Sequence, residues 1–210
     1  MITAISKNGN RRVFFDGNSL TNQSQNGLVG GQRYPTTCYS SLVSANKKVS
    51  YFNYGIGSRR TATLTSEFGS KFANTMLRPN DIVVFWEITN EAHDFTTDTQ
   101  GTALYANVVE YCNQARSYGA KVVVVTGIAR DMTGFDDANI TDRIFACNAL
   151  IRANWSTFAD AIADVALLPQ FDTKSDTTNT TYYNADQTHL TDVGYDLIAG
   201  TVYTAINTLL

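Results

Sequence analysis

The chain has 210 residues and a mass of 23.1 kDa, enough for one domain with a full hydrophobic core. Hydrophobic residues at 43% and charged residues at 17% exclude a disordered chain. A net charge of -3 with a pI near 5.3 excludes a nucleic-acid binder that neutralises phosphates, and no apolar run approaches the length of a membrane span.

Five short apolar runs, rich in β-branched and aromatic residues, read as strands: residues 12–16, 49–54, 81–86, 121–128 and 164–168. Several are continuous rather than alternating, which suits strands covered on both faces of a parallel sheet. Helical spacing lies between and after them. Leu104, Val108, Cys112 and Ala115 form one stripe, and Ile144, Cys147, Leu150 and Ile151 form another. The last helix presents Val193, Leu197, Ile198, Val202, Ala205, Ile206 and Leu209. No repeat or linker divides the chain. The alternation predicts an α/β fold: a single domain over residues 1–210, built as a three-layer α/β/α sandwich on a central parallel sheet of about five strands.

Cys38, Cys112 and Cys147 are too few for a disulfide framework and too scattered for a zinc site; the plain expectation is three buried thiols. Residues 1–12 are polar and lack the apolar stretch of a signal peptide. High Thr and Asn content with few lysines suits an exported or virion-associated protein, on composition only.

In a parallel sheet the working site lies beyond the carboxyl ends of the strands, so a chemical motif should follow a strand. Directly after the first strand comes Asp16-Gly17-Asn18-Ser19-Leu20, leading into a Gly/Asn/Gln-rich loop. A nucleophilic serine needs such an edge, and a base to take its proton. Alone, the segment is more commonly a turn or helix cap. Near the other end, Asp186 and His189 stand three apart ahead of the last helix. On a helical turn that spacing lets the carboxylate reach the imidazole and fix its tautomer. The chain has two histidines, and His93, with Asp94 adjacent in sequence, is the less natural base. After the second strand comes Asn53-Tyr54-Gly55-Ile56-Gly57-Ser58-Arg59-Arg60-Thr61, and after the third Glu87-Ile88-Thr89-Asn90-Glu91-Ala92. A small-residue turn can aim backbone N–H groups at an oxyanion, and an Asn amide can add another donor.

These four segments, in this order, resemble the blocks of the SGNH, or GDSL-type, hydrolase superfamily across nearly the whole chain. Asn18 stands where the family often has Asp, Ile88 replaces the usual Gly, and Glu91 replaces the usual Asp. The resemblance implies the flavodoxin-like fold of that superfamily. It implies Ser19 as nucleophile, His189 as base and Asp186 as the residue orienting His189. It also implies an oxyanion hole from the Ser19 N–H, the Asn90 side chain and a backbone N–H of the second block. That last donor is Ser58 when counted from Asn53 and Gly57 when matched by glycine. No metal or organic cofactor is implied.

Other chemistries fit less well. Thr21 replaces the second glycine of a G-x-S-x-G elbow, the two histidines are distant from each other and form no clustered carboxylate–histidine set, and Gly17-Asn18-Ser19 matches no phosphate-binding fingerprint. The expected activity is serine esterase chemistry on short-chain carboxylic esters, with an O-acetyl ester of a sugar or polysaccharide as the favoured substrate. Tyr182 and Tyr183 could stack on a sugar ring, and Arg59 and Arg60 could meet an anionic one, although such tyrosines are commonly core and such arginines commonly solvated. The alternatives are a lipase, lysophospholipase or thioesterase of the same family, or a non-catalytic carbohydrate-binding or virion structural module on this fold.

Overall fold

The computed structural model describes residues 11–22, 33–72 and 77–210. The polar segment before residue 11 and the Gly/Asn/Gln-rich loop of residues 23–32 lie outside these. Five strands form one sheet: β1 (Arg11–Gly17), β2 (Val49–Asn53), β3 (Ile82–Trp86), β4 (Lys121–Val125) and β5 (Ala161–Ala163). Every pairing is parallel, in the order β2-β1-β3-β4-β5. The helices are α1 (Tyr34–Ser44), α2 (Thr61–Lys71), α3 (Thr102–Ser117), α4 (Ile140–Phe158) and α5 (Asp192–Asn207).

Strand side chains alternate between two separate cores, so both faces of each central strand need apolar residues. Val13, Phe15, Val84 and Trp86 face one core, with Tyr34, Cys38 and Leu42 of α1 and the buried side of α5. Phe14, Val83, Phe85 and Val124 face the other, with α2, α3 and α4. The three-layer sandwich expected from the alternation is therefore the observed architecture, and it explains why β3 and β4 read as unbroken apolar runs. All three cysteines are free and buried, one in the first core and two in the second.

Three expectations differ in detail. The fifth strand is not residues 164–168 but Ala161–Ala163; Val165–Leu167 coil into a 3-10 turn instead. Asp164 turns the chain there, accepting bonds from Thr126 Oγ1 at 3.0 Å and Arg152 Nε at 2.7 Å, while the Ala166 N–H donates to Thr126 Oγ1. The run at 121–128 leaves the sheet after Val125. In α5 the buried set is Gly194, Tyr195, Ile198, Ala199, Val202, Ala205 and Ile206; Val193 is exposed.

The strand order changes direction between β1 and β3, which places a crevice at their carboxyl ends. The loops after β1, β2 and β3 meet there, and their approach is close. A Cβ on Gly17 would lie 2.3 Å from the Trp86 carbonyl oxygen, and one on Gly55 would lie 2.5 Å from Asn22 N. Only glycine permits the loops to touch at these two points.

Candidate active site

Ser19 follows β1 in a tight turn tied by its neighbour. Asn18 Oδ1 accepts the Leu20 N–H at 2.9 Å, and the Asn18 carbonyl accepts from Thr21 and Asn22. The Ser19 side chain meets His189 across 170 positions of sequence: Oγ to Nε2 is 2.8 Å. The other ring nitrogen, Nδ1, is 2.6 Å from Asp186 Oδ2. A serine hydroxyl, an imidazole and a carboxylate thus form one hydrogen-bonded chain, and a hydroxyl so placed can lose its proton as it attacks an electrophile.

Asp186 and His189 do not share a helical turn. They lie in a tight loop closed by the antiparallel bridge of Tyr183 with Leu190, and Gln187 adopts the left-handed region with φ 55. Asp186 Oδ1 accepts the backbone N–H groups of Thr188 and His189, which orients the carboxylate and the ring together. The helix begins only at Asp192, with the Thr191 hydroxyl accepting the Gly194 N–H. Burial acts to raise the Asp186 pKa, but the bonds from His189 and Thr188 outweigh it and hold the carboxyl at about 2. Asp186 is therefore a carboxylate throughout the neutral range.

Asn90, after β3, is pinned at both ends. Its Oδ1 accepts from Arg130 Nη1 at 3.1 Å, and its Nδ2 donates to the Arg59 carbonyl at 3.1 Å. Because a guanidinium only donates, the oxygen of the amide must face Arg130. One Nδ2–H remains for the cavity that Asn90 lines. That cavity, of about 220 Å³, brings together Ser19, Ser58, Asn90 and His189. Ser58 adopts a left-handed conformation, φ 63, and lines the cavity; Gly57, its neighbour, does not. Among the described residues, neither the Ser19 N–H nor the Ser58 N–H meets a backbone acceptor.

The departures from the family blocks have local explanations. Ile88 is buried in the second core, where a glycine would leave a void. Glu91 Oε1 accepts the Ala62 N–H and Asn107 Nδ2, both at 3.1 Å, so the carboxylate sits at the amino end of α2 where the helix dipole favours it.

Sequence reasoning missed several cavity residues. Arg130, fully enclosed, makes a two-pronged ion pair with Asp136 at 2.9 and 2.8 Å and reaches Asn90 from 40 positions away. His93 is not on Ser19; it stacks on Phe135 at the rim, ring centroids 4.5 Å apart. Phe135 is 56% exposed, the one large aromatic so exposed among the described residues. Distant single residues in a loop have no spacing signal. Tyr183 is core, its hydroxyl donating to the Ala129 carbonyl, and Tyr182 packs against Phe171; neither lines the cavity. Arg59 pairs with Glu67 and Arg60 with Asp94, so each charge is already met. A larger groove of about 660 Å³ along β5, between α4 and α5, contains one carboxylate, Asp160, held by Lys121 and the Val122 N–H.

A model of the GDSL-like lipase/acylhydrolase family matches residues 15–197. The chain belongs to that family. It is an esterase/acylhydrolase of the SGNH type. No curated protein matches the sequence. Among solved structures, TesA superposes with a TM-score of 0.73 at 16% identity, over 95% of this chain and 100% of its own. A G-D-S-L family lipolytic protein from Veillonella parvula gives 0.70 at 15% identity, over 94% and 98%. A GDSL-like lipase from Bacteroides thetaiotaomicron gives 0.69 at 20% identity, over 95% and 89%. At such identities these neighbours establish a shared fold. No helix among the described residues is long and apolar enough to cross a membrane.

Proposed function

We propose that this SGNH acylhydrolase cleaves short-chain carboxylic esters, with an O-acetyl group on a carbohydrate as its substrate, and that Ser19, His189 and Asp186 perform the reaction. The observation that carries this reading is the Ser19–His189–Asp186 hydrogen-bond chain opening into a cavity of about 220 Å³. That space suits a small acyl group.

His189 Nε2 takes the Ser19 proton as Oγ bonds to the ester carbonyl carbon. The carbonyl oxygen becomes an oxyanion between the Ser19 N–H, the Ser58 N–H and the free Asn90 Nδ2–H. Ser58 is preferred to Gly57 because it lines the cavity. Asp186 holds the imidazolium, which then protonates the leaving alkoxide. Water, deprotonated by His189, attacks the acyl-enzyme and releases the acid.

The carbohydrate reading rests on the rim rather than on the residues first considered. The exposed Phe135 ring, backed by His93, offers a flat apolar face on which a sugar ring can stack. The pairing of Arg59 and Arg60 with carboxylates removes the argument for an anionic sugar.

The test is hydrolysis of p-nitrophenyl acetate, butyrate and octanoate by wild type and Ser19→Ala, with acetate release from acetylated glycans. Acetate is expected to be the best of the three, and Ser19→Ala to lose at least about a thousandfold in kcat. Preference for octanoate would redirect the substrate to lipids, and equal rates in both proteins would remove Ser19 from the reaction. A folded wild type inert on every ester would favour a binding module.

A further inference from the structure

The family resemblance, carried after β3 by residues 88–91, gives no role to Glu87, the first residue beyond that strand. Its side chain is wholly enclosed, with 1% of the residue exposed, yet it carries a carboxyl group. Oε1 accepts Asn18 Nδ2 at 3.2 Å and the Asn90 backbone N–H at 2.8 Å. Oε2 accepts the Thr61 hydroxyl at 2.6 Å. These donors come from three loops. Asn18 immediately precedes Ser19, Asn90 offers the side-chain amide, and Thr61 opens α2 just after Ser58, Arg59 and Arg60. One carboxyl group therefore joins every segment that supplies a donor to the oxyanion.

Resting on the serine-esterase reading above, we propose that Glu87 is a positioning residue that keeps the three donor loops in register, and that it makes a hydrogen-bond donor obligatory at position 18, so that Asn18 and Glu87 form a matched pair. This accounts for the departure of the first block from the family. With aspartate at 18, two carboxyl groups would face each other where Nδ2 now stands 3.2 Å from Oε1. Thr89 Oγ1, 2.9 Å from Nδ2, can turn its hydroxyl toward a carboxylate at 18, but it puts no proton between the two carboxyl groups.

The environment of Glu87 sharpens the pairing. The three groups that meet it are neutral donors; Glu91 adds a nearby like charge, and the buried Cys147 thiol of α4 lies close enough to feel it. Burial pushes the Glu87 carboxyl up to about 7 against the pull of its hydrogen bonds. An added carboxyl at 18 could be accommodated only by sharing a proton, an arrangement that rising pH removes.

The test compares Glu87→Ala, Glu87→Gln and Asn18→Asp with wild type between pH 6 and 9. The readouts are kcat and KM on p-nitrophenyl acetate, the rate at which a fluorophosphonate labels Ser19, and the thermal midpoint. Glu87→Ala is expected to lower kcat and labelling about 10- to 100-fold with KM within about twofold, as loosened donor geometry costs rate rather than binding. Glu87→Gln keeps an oxygen toward Asn18 and Asn90 and turns its amide to Thr61, so it should recover kcat to within about threefold. Asn18→Asp, although it restores the family's usual residue, should lose activity progressively relative to wild type as pH rises. Wild-type kcat in folded Glu87→Ala, or a wild-type pH profile in Asn18→Asp, would overturn the proposal. If Glu87→Ala does not fold, the other two variants decide. If wild type neither hydrolyses esters nor takes the phosphonate, the esterase reading fails. The Asn18→Asp midpoint then still tests the pair: a steeper fall with pH than wild type supports it, and parallel curves refute it.

Discussion

Replacing Lys71 by methionine probes how a buried charge is held at the end of the sheet that leads into the Ser19 loop. Asp16, next to last in β1 and three positions before Ser19, is fully buried. Lys71 Nζ, on a side chain 10% exposed, donates to its two oxygens at 2.9 and 3.0 Å. The Tyr111 hydroxyl donates at 2.5 Å and the Gly17 N–H at 3.1 Å. Burial drives the Asp16 carboxyl above its ordinary value, and the Lys71 charge is the largest effect opposing it. Removing one partner of a buried pair costs about 3–5 kcal/mol. Methionine nearly preserves the volume and two neutral donors remain, so the loss near neutral pH should fall at the low end, about 3 kcal/mol.

The pH dependence follows from the sign of that shift. Without Lys71, the folded-state value for Asp16 rises further above the unfolded one. The stability associated with a raised group is present below its unfolded value and lost as pH climbs through its folded value. The gap between variant and wild type should therefore be smallest near pH 4 and widen toward pH 8. Urea unfolding followed by tryptophan fluorescence at pH 4, 6 and 8 measures it. A gap under about 1 kcal/mol at pH 8, or one that does not change with pH, would refute the reasoning.

Two further outcomes concern the cavity. Asn90→Ala removes the side-chain donor and should lower kcat about 10²- to 10³-fold with little change in KM, measured on p-nitrophenyl acetate; a loss confined to KM would mean that Asn90 binds substrate without stabilising the oxyanion. Phe135→Ala removes the stacking face, and its KM for an acetylated oligosaccharide should rise about fivefold or more beyond any change for p-nitrophenyl acetate; equal effects on both substrates would take the sugar ring off this face.

The reading of elements from pattern succeeded where the physical signal is local. Strands buried on both faces need unbroken β-branched and aromatic runs, which is why β1, β3 and β4 were visible. The same signal misplaced β5. Val165-Ala166-Leu167 is as apolar as Ala161-Ile162-Ala163, and the choice between them is made by Thr126 and Arg152, which turn the chain at Asp164. Asp186 and His189 were legible as a pair because they stand three positions apart, although a turn closed by backbone bonds to Asp186, not a helix, joins them.

By itself, then, the sequence determined the α/β alternation, the four blocks in family order and the residue types able to do acyl-transfer chemistry. These depend on periodicity and spacing along a few turns of chain. Tertiary structure decided which distant groups touch: the order β2-β1-β3-β4-β5, the 2.8 Å contact of Ser19 with His189, the Arg130 clamp on Asn90, the Phe135 rim, and the Glu87 carboxyl that meets Asn18. Such contacts join residues tens of positions apart, so no local pattern announces them. They arise only once the sheet has set the carboxyl ends of β1, β2 and β3 side by side.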